Sequence, residues 1–202
     1  MNQSQLQHMY ANQNVRKMLD IIAEAEGVQH GYNTLFGNQR FNNLAMHPNV
    51  RKEFTQTDGR KNYTTAAGRY QFLNNTWNGL AKQYGFKDFS PQNQDLGAIA
   101  LLAQNGALPY VLKGDFTTAV QKSGGTWASL PSSTYAQNKR GWDFVNKRLG
   151  GSAPQQRQLT LADLEKQYGK GKEYVFEQQQ APQGLTVAEL ERMYGKGQEY
   201  QF

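Results

Sequence analysis

The chain has 202 residues, 38% of them hydrophobic, with no cysteine and three histidines. That supports one core plus an appendage. It excludes a disulfide framework, thiolate metal ligands and a cysteine nucleophile, and His8, His30 and His47 lack the i, i+4 pairing of a zinc helix. Charge is uneven: residues 1–150 hold 16 basic and 9 acidic side chains, a net of +7, and residues 151–202 hold 6 and 7. A basic body therefore precedes a near-neutral tail, a balance suited to an anionic polymer or surface.

Residues 1–14 are rich in Asn and Gln and read as a flexible arm. They have neither the basic end nor the apolar block of a secretion signal. No apolar run in the chain approaches ~18 residues, so no membrane insertion is expected. A helix is predicted from about Val15 to Glu26, with Val15, Leu19, Ile22 and Glu26 on one face and Gly27 as its stop. Residues 28–65 are polar and rich in Gly and Asn, which suggests loops and a short irregular sheet. Thr64–Phe72 has strand character around Gly68.

Asn74–Tyr84 reads as a helix with Trp77, Leu80, Ala81 and Tyr84 on one face. Ser90-Pro91 is a helix entry, an N-cap followed by proline at the first helical position. The helix it opens, through Leu96, Ile99 and Leu102, is apolar almost all round and is predicted to be the buried centre, closed by Gly106. Asp115–Lys122 and Tyr135–Leu149 are two further helix candidates. Several helices beside one small irregular sheet give an α+β fold.

Gly150-Gly151-Ser152-Ala153-Pro154 marks a boundary. Beyond it LTLADLEKQYGKGKEYVF (159–176) recurs as LTVAELERMYGKGQEYQF (185–202), with twelve of 18 positions identical. Each unit starts with a Thr cap and an acidic residue three positions on. Two such units are fewer than the about three that a stacked array needs. They read as docking motifs for a protein partner, or as a tail that packs back or stays free.

Glu26 carries the most chemical information. A carboxyl on a core-facing stripe is desolvated, and the negative end of a helix dipole also disfavours its anion. Both effects keep it protonated, which is how a general acid for glycosidic cleavage is made. The alternative is a helix-terminal Glu that turns to water.

Glu26-Gly27, His30-Gly31-Tyr32, Ala67-Gly68-Arg69-Tyr70-Gln71, Asp88-Phe89-Ser90-Pro91 with Asp95, Gly106-Ala107-Leu108-Pro109 and Trp127-Ala128-Ser129-Leu130-Pro131 occur in that order. From about Val15 to Gly150 this resembles the phage lambda endolysin-like family, lysozyme-like lytic transglycosylases that cut peptidoglycan. The resemblance implies a lysozyme-like α+β domain over 15–150, with Glu26 as the catalytic acid. It implies that Gly68 allows close approach of a sugar and that Gln71 offers an amide to it, unless Gln71 is a surface amide. Tyr70 is read as core in preference to cleft. Trp127 stands between a sugar-stacking ring and a core residue. Tyr135, with Gln137 just after it, matches the far wall of the family's groove, and His30 is placed at the cleft. His47-Pro48 reads as a turn.

The family mechanism uses one carboxylate. The C6 hydroxyl of N-acetylmuramic acid displaces N-acetylglucosamine, leaving a 1,6-anhydro end, and neither metal nor cofactor is needed. Other glycosidases pair two carboxylates about 5–5.5 or 6.5–9.5 Å apart. Asp58, in the loop before Ala67, would be the second if the enzyme were a hydrolysing muramidase; it also reads as a turn Asp. A member of another class, a virion protein that binds glycan without cutting it, has no use for a buried acid. Nucleic-acid binding is not expected, because the cations are dispersed and no nucleic-acid module is recognisable. The resemblance places the site of action at the cell wall, reached through a holin or as part of a virion. In the second case the repeats would hold the enzyme in place.

Overall fold

The computed structural model describes residues 1–150. Its centre is a helix, α4 (Pro91–Gln104), as the Ser90-Pro91 entry predicts: the Ser90 side chain accepts from the Asn93 N–H. Leu96, Ala98, Ile99, Ala100 and Leu102 are all buried. Helices α1 (Gln3–Tyr10), α2 (Gln13–Glu26), α3 (Asn74–Tyr84) and α5 (Leu108–Lys113) pack against it. α6 (Phe116–Ser123) lies on α5, and α7 (Trp142–Arg148) ends the described segment.

The first 14 residues are not an arm. Asn2 and Gln5 form a reciprocal capping box that starts α1, Leu6 is fully buried, and α1 lies along α4. A second cap follows at once, the Asn12 side chain accepting from the Asn14 and Val15 N–H groups. α2 then buries Val15, Met18, Leu19, Ile21, Ile22, Ala23 and Ala25, a wider face than the stripe read from the sequence. Gly27 ends it in the left-handed conformation, φ 69°.

Between α2 and α3 lie two small antiparallel ladders. β1 (Thr34–Leu35) pairs with β2 (Gln39–Arg40), and β3 (Lys52–Thr55) pairs with β4 (Lys61–Thr64). Only Thr64 of the predicted Thr64–Phe72 strand belongs to a ladder. The remainder is a tight turn in which Ala67 bridges to Leu35 on one side and Phe72 on the other. The Tyr135–Leu149 helix is confined to Trp142–Arg148. Tyr135–Arg140 is polar, has no apolar stripe to bury, and is tied elsewhere: the Arg140 N–H donates to Ser129 O.

An aromatic cluster joins the ladders to the helices. Trp77, on α3, meets Phe89 edge-on with centroids 4.6 Å apart and stacks on Phe86 at 5.7 Å. His47 joins its edge, 4.9 Å from Phe89. Its Nε2 bonds Phe72 O and its Nδ1 accepts from the Asn49 N–H; burial lowers its pKa against the opposing influence of the Phe72 bond. The boundary at 150 and both repeats fall outside the described residues.

Candidate functional site

Glu26 ends α2 half-buried. The Ser129 hydroxyl donates to its Oε1 at 2.5 Å. Burial raises the carboxyl from 4.5 to about 7, against two opposing influences, hydrogen bonds from the Ser129 hydroxyl and from the Ser129 backbone. Among the described residues no neighbouring carboxylate contributes to that rise. Near neutral pH the group is thus poised between acid and base, where proton transfer in both directions is cheap.

Ser129 is held by its own loop. Two residues before it, the Trp127 indole N–H donates to Tyr70 O at 3.2 Å, and Leu130 after it is fully buried. The Ser132 hydroxyl donates to Val120 O. A Cβ on Gly124 would fall 2.5 Å from the Ser132 carbonyl carbon, so only glycine lets the loop lie this close to the end of α6. Arg140 closes the loop: its N–H donates to Ser129 O at 2.8 Å and its Nε to Ala25 O at 3.4 Å. The last turn of α2 and the serine beneath its carboxyl are therefore braced by one residue. The same loop reaches the β3–β4 turn, where the Thr57 N–H donates to Ala136 O at 2.9 Å.

The residues singled out from the sequence fall into two groups. Tyr70 and Trp127 are 1% and 3% exposed, so neither can offer a ring face to a sugar. Tyr70 instead donates its hydroxyl to Asp95 at 2.6 Å. Gly68 has φ 82°, but the space its missing side chain leaves is filled by protein, not reserved for ligand. A Cβ there would meet Gln94 Oε1 at 2.3 Å and Phe89 Cζ at 2.8 Å. Gln71, itself at φ 49°, turns its amide N–H inward to Gly68 O at 2.8 Å and Thr34 O at 3.2 Å. Trp127 ties the Gly68–Gln71 turn to the loop that carries Ser129.

Tyr135 and His30 form the second group, with Gln137. Tyr135 is 51% exposed and its hydroxyl donates to Gly125 O, which fixes an accessible ring. Gln137 is half-buried beside Ala136. His30 is exposed, its backbone N–H donating to Thr34 Oγ1. Asp58 does not stand free. It accepts from Arg60 N at 3.1 Å and from the Arg60 guanidinium at 2.9 and 2.6 Å. These bonds hold its carboxyl below the usual carboxylate range.

Beside this turn lies a polar cluster built on the buried carboxyl of Asp95, reaching the surface at Tyr10 and Asp20. Asp95 accepts from Tyr70, from Tyr32 at 3.0 Å and from Tyr10. Arg69 donates to Tyr32 at 2.9 Å and pairs with Asp20. Burial raises the Asp95 carboxyl despite its three tyrosine donors, and burial with the Asp95 charge pushes Tyr32 up to about 12. The cluster joins α1, α2, α4 and the Gly68–Gln71 turn. It fixes the backbone from which Trp127 hangs.

Sequence reading missed Ser129 and Arg140. The signal for Ser129 was one hydroxyl inside the otherwise apolar run Trp127–Pro131; Arg140 gave none. Among the described residues no group of His, Asp and Glu could hold a metal ion, and no helix is long and apolar enough to cross a membrane.

A family model described as Endolysin matches residues 16–151. The endolysin of Escherichia phage lambda is 37% identical over 134 residues, covering 62% of this chain and 82% of that protein. The endolysin of Escherichia phage P2 is 31% identical over 141 residues, covering 63% and 86%. Among solved structures, bacteriophage lambda lysozyme complexed with a chitohexasaccharide matches with TM-score 0.61 and 35% identity, over 68% of this chain and 93% of that one. Another structure of lysozyme from bacteriophage lambda matches with TM-score 0.54 and 33% identity, over 68% and 88%.

Proposed function

Because this chain belongs to the endolysin family, phage enzymes that degrade peptidoglycan on a lysozyme-like fold, we propose that it is a lytic transglycosylase with Glu26 as its acid and base. The observation that carries this reading is a single carboxyl near pH 7, held by Ser129 and without a carboxylate partner among the described residues. Glu26 protonates the bridging oxygen between N-acetylmuramic acid and N-acetylglucosamine, and the bond to the anomeric carbon breaks. The carboxylate so formed takes the proton of the muramic C6 hydroxyl, whose oxygen closes on the anomeric carbon. The proton lost in the first half returns in the second, so neither water nor a cofactor enters. The bound chitohexasaccharide of the lambda structure supports a glycan strand as ligand, with Tyr135, Gln137 and His30 as its accessible contacts.

A hydrolysing muramidase needs a second carboxylate to activate water. Asp58 is the candidate, and its engagement with Arg60 speaks against it. On purified sacculi Glu26→Gln should release no soluble fragments, whereas Asp58→Asn should release them at close to the parent rate. Loss of release in Asp58→Asn with the fold intact would favour hydrolysis. Release by Glu26→Gln would remove the catalytic assignment, and a parent protein that binds sacculi without releasing fragments would make the domain a glycan-binding virion component.

The repeats at 159–176 and 185–202 support a docking role toward a protein partner, as in an enzyme carried by the virion. A truncation after residue 151 should keep cleavage and lose attachment to particles. If the truncated and full chains are equally soluble and unattached during infection, the enzyme acts at lysis, delivered through a holin.

A further inference from the structure

We propose that Ser129 is a positioning residue for the Glu26 acid: it holds Oε1 as an acceptor, so that the transferable proton resides on Oε2. This rests on the reading of Glu26 as general acid and adds to it the choice of reactive oxygen. A carboxylic acid has two oxygens, and only one can carry the proton toward the substrate. An oxygen that accepts a hydroxyl at 2.5 Å is the poorer site for the proton. The other oxygen of the half-buried carboxyl then delivers the proton to the glycosidic oxygen and afterwards receives that of the C6 hydroxyl.

The serine suits the task because its loop is held from both sides. The loop is pinned on one side by Trp127 and Leu130 in the core and on the other by Arg140. Arg140 also holds Ala25 O, so carboxyl and hydroxyl cannot drift apart independently. Preorganised partners of this kind spare the reorganisation that water would need. The charged groups around Glu26 are Arg140 from the loop, whose guanidinium lies 3.5 Å from where a Cβ on Gly27 would be, and Glu24 on α2, paired with Arg148 of α7. Neither opposes the Ser129 bond: Glu24 is neutralised by its partner, and Arg140 is engaged with the backbone carbonyls of Ala25 and Ser129.

The test is the pH dependence of sacculus cleavage by the full chain and its Ser129→Ala and Ser129→Thr variants, with Glu26→Gln alongside. Ser129→Ala should lose about tenfold to a hundredfold in kcat, the span of a charge-assisted hydrogen bond, with KM little changed. Its alkaline limb should move to higher pH, because a donor that favours the anion is gone. Ser129→Thr, which keeps the hydroxyl, should recover most of the rate and the parent limb. A Ser129→Ala enzyme with the parent rate and limb, beside an inactive Glu26→Gln, would overturn the positioning role and leave Glu26 as the acid. An active Glu26→Gln would overturn the general-acid reading itself. A uniform rate loss with an unmoved limb would mean that Ser129 only packs the loop. Should Ser129→Ala fail to fold, Ser129→Cys, similar in shape and a weak donor, gives the same readout.

Discussion

Replacing Glu26 by Gln should stabilise the folded protein at neutral and alkaline pH while abolishing cleavage. The carboxyl sits at about 7 in the fold against its usual 4.5, so the native state holds this proton more tightly than the unfolded chain does. Below about pH 4.5 the group is protonated in both states and adds no pH-dependent cost. As the pH rises to about 7 the unfolded chain ionises first and stability falls. Above that, the fold carries a constant penalty of about 3 kcal/mol, at about 1.4 kcal/mol for each tenfold change in proton affinity. Gln has the same shape, never ionises and keeps an oxygen for the Ser129 hydroxyl. The stability gain of Glu26→Gln should thus be near zero in acid and grow to about 3 kcal/mol above neutrality. Urea unfolding from about pH 4 to about pH 8.5, followed by tryptophan fluorescence with a shared m-value, measures it. A pH-independent difference, or one that grows toward acid, would refute a buried acid at this position.

Two further outcomes test the scaffold. Gly68→Ala should cost about 2–4 kcal/mol in urea unfolding, because it combines a left-handed backbone with a Cβ driven into the Gln94 amide and Phe89; a change within experimental error would mean the turn is open, as a sugar-approach role requires. Leu6→Ala should cost about 2–5 kcal/mol, as for any filled core position, measured by the same unfolding; no loss would mean that α1 does not dock on α4.

The parts of this fold that were legible in the sequence are those specified by neighbours in the chain. The Ser90-Pro91 entry and the Gly27 stop are local signals, and Gly27 takes the left-handed conformation that ends a helix. Glu26 was legible because one helical period places it on the buried face. α1 was not, since Leu6 and Met9 are its only large buried residues and their burial depends on the surface of α4, far along the chain. The site was legible to the same degree. Ser129 meets Glu26 across 103 positions, and no periodicity reports such a contact. Gly68 announced a special backbone, but whether a ligand or Gln94 fills the vacated space depends on a residue 26 positions later. Trp127 posed the same question, and its bond to Tyr70 O answers it in favour of the core.

The most direct measurement is digestion of purified sacculi in oxygen-18 water, with mass spectrometry of the released muropeptides. A lone acid that hands its proton out and takes one back from the C6 hydroxyl predicts anhydro ends, lighter by one water than reducing ends and free of label. Labelled reducing ends formed in step with cleavage would show that water attacks, and would contradict a mechanism that runs on Glu26 alone.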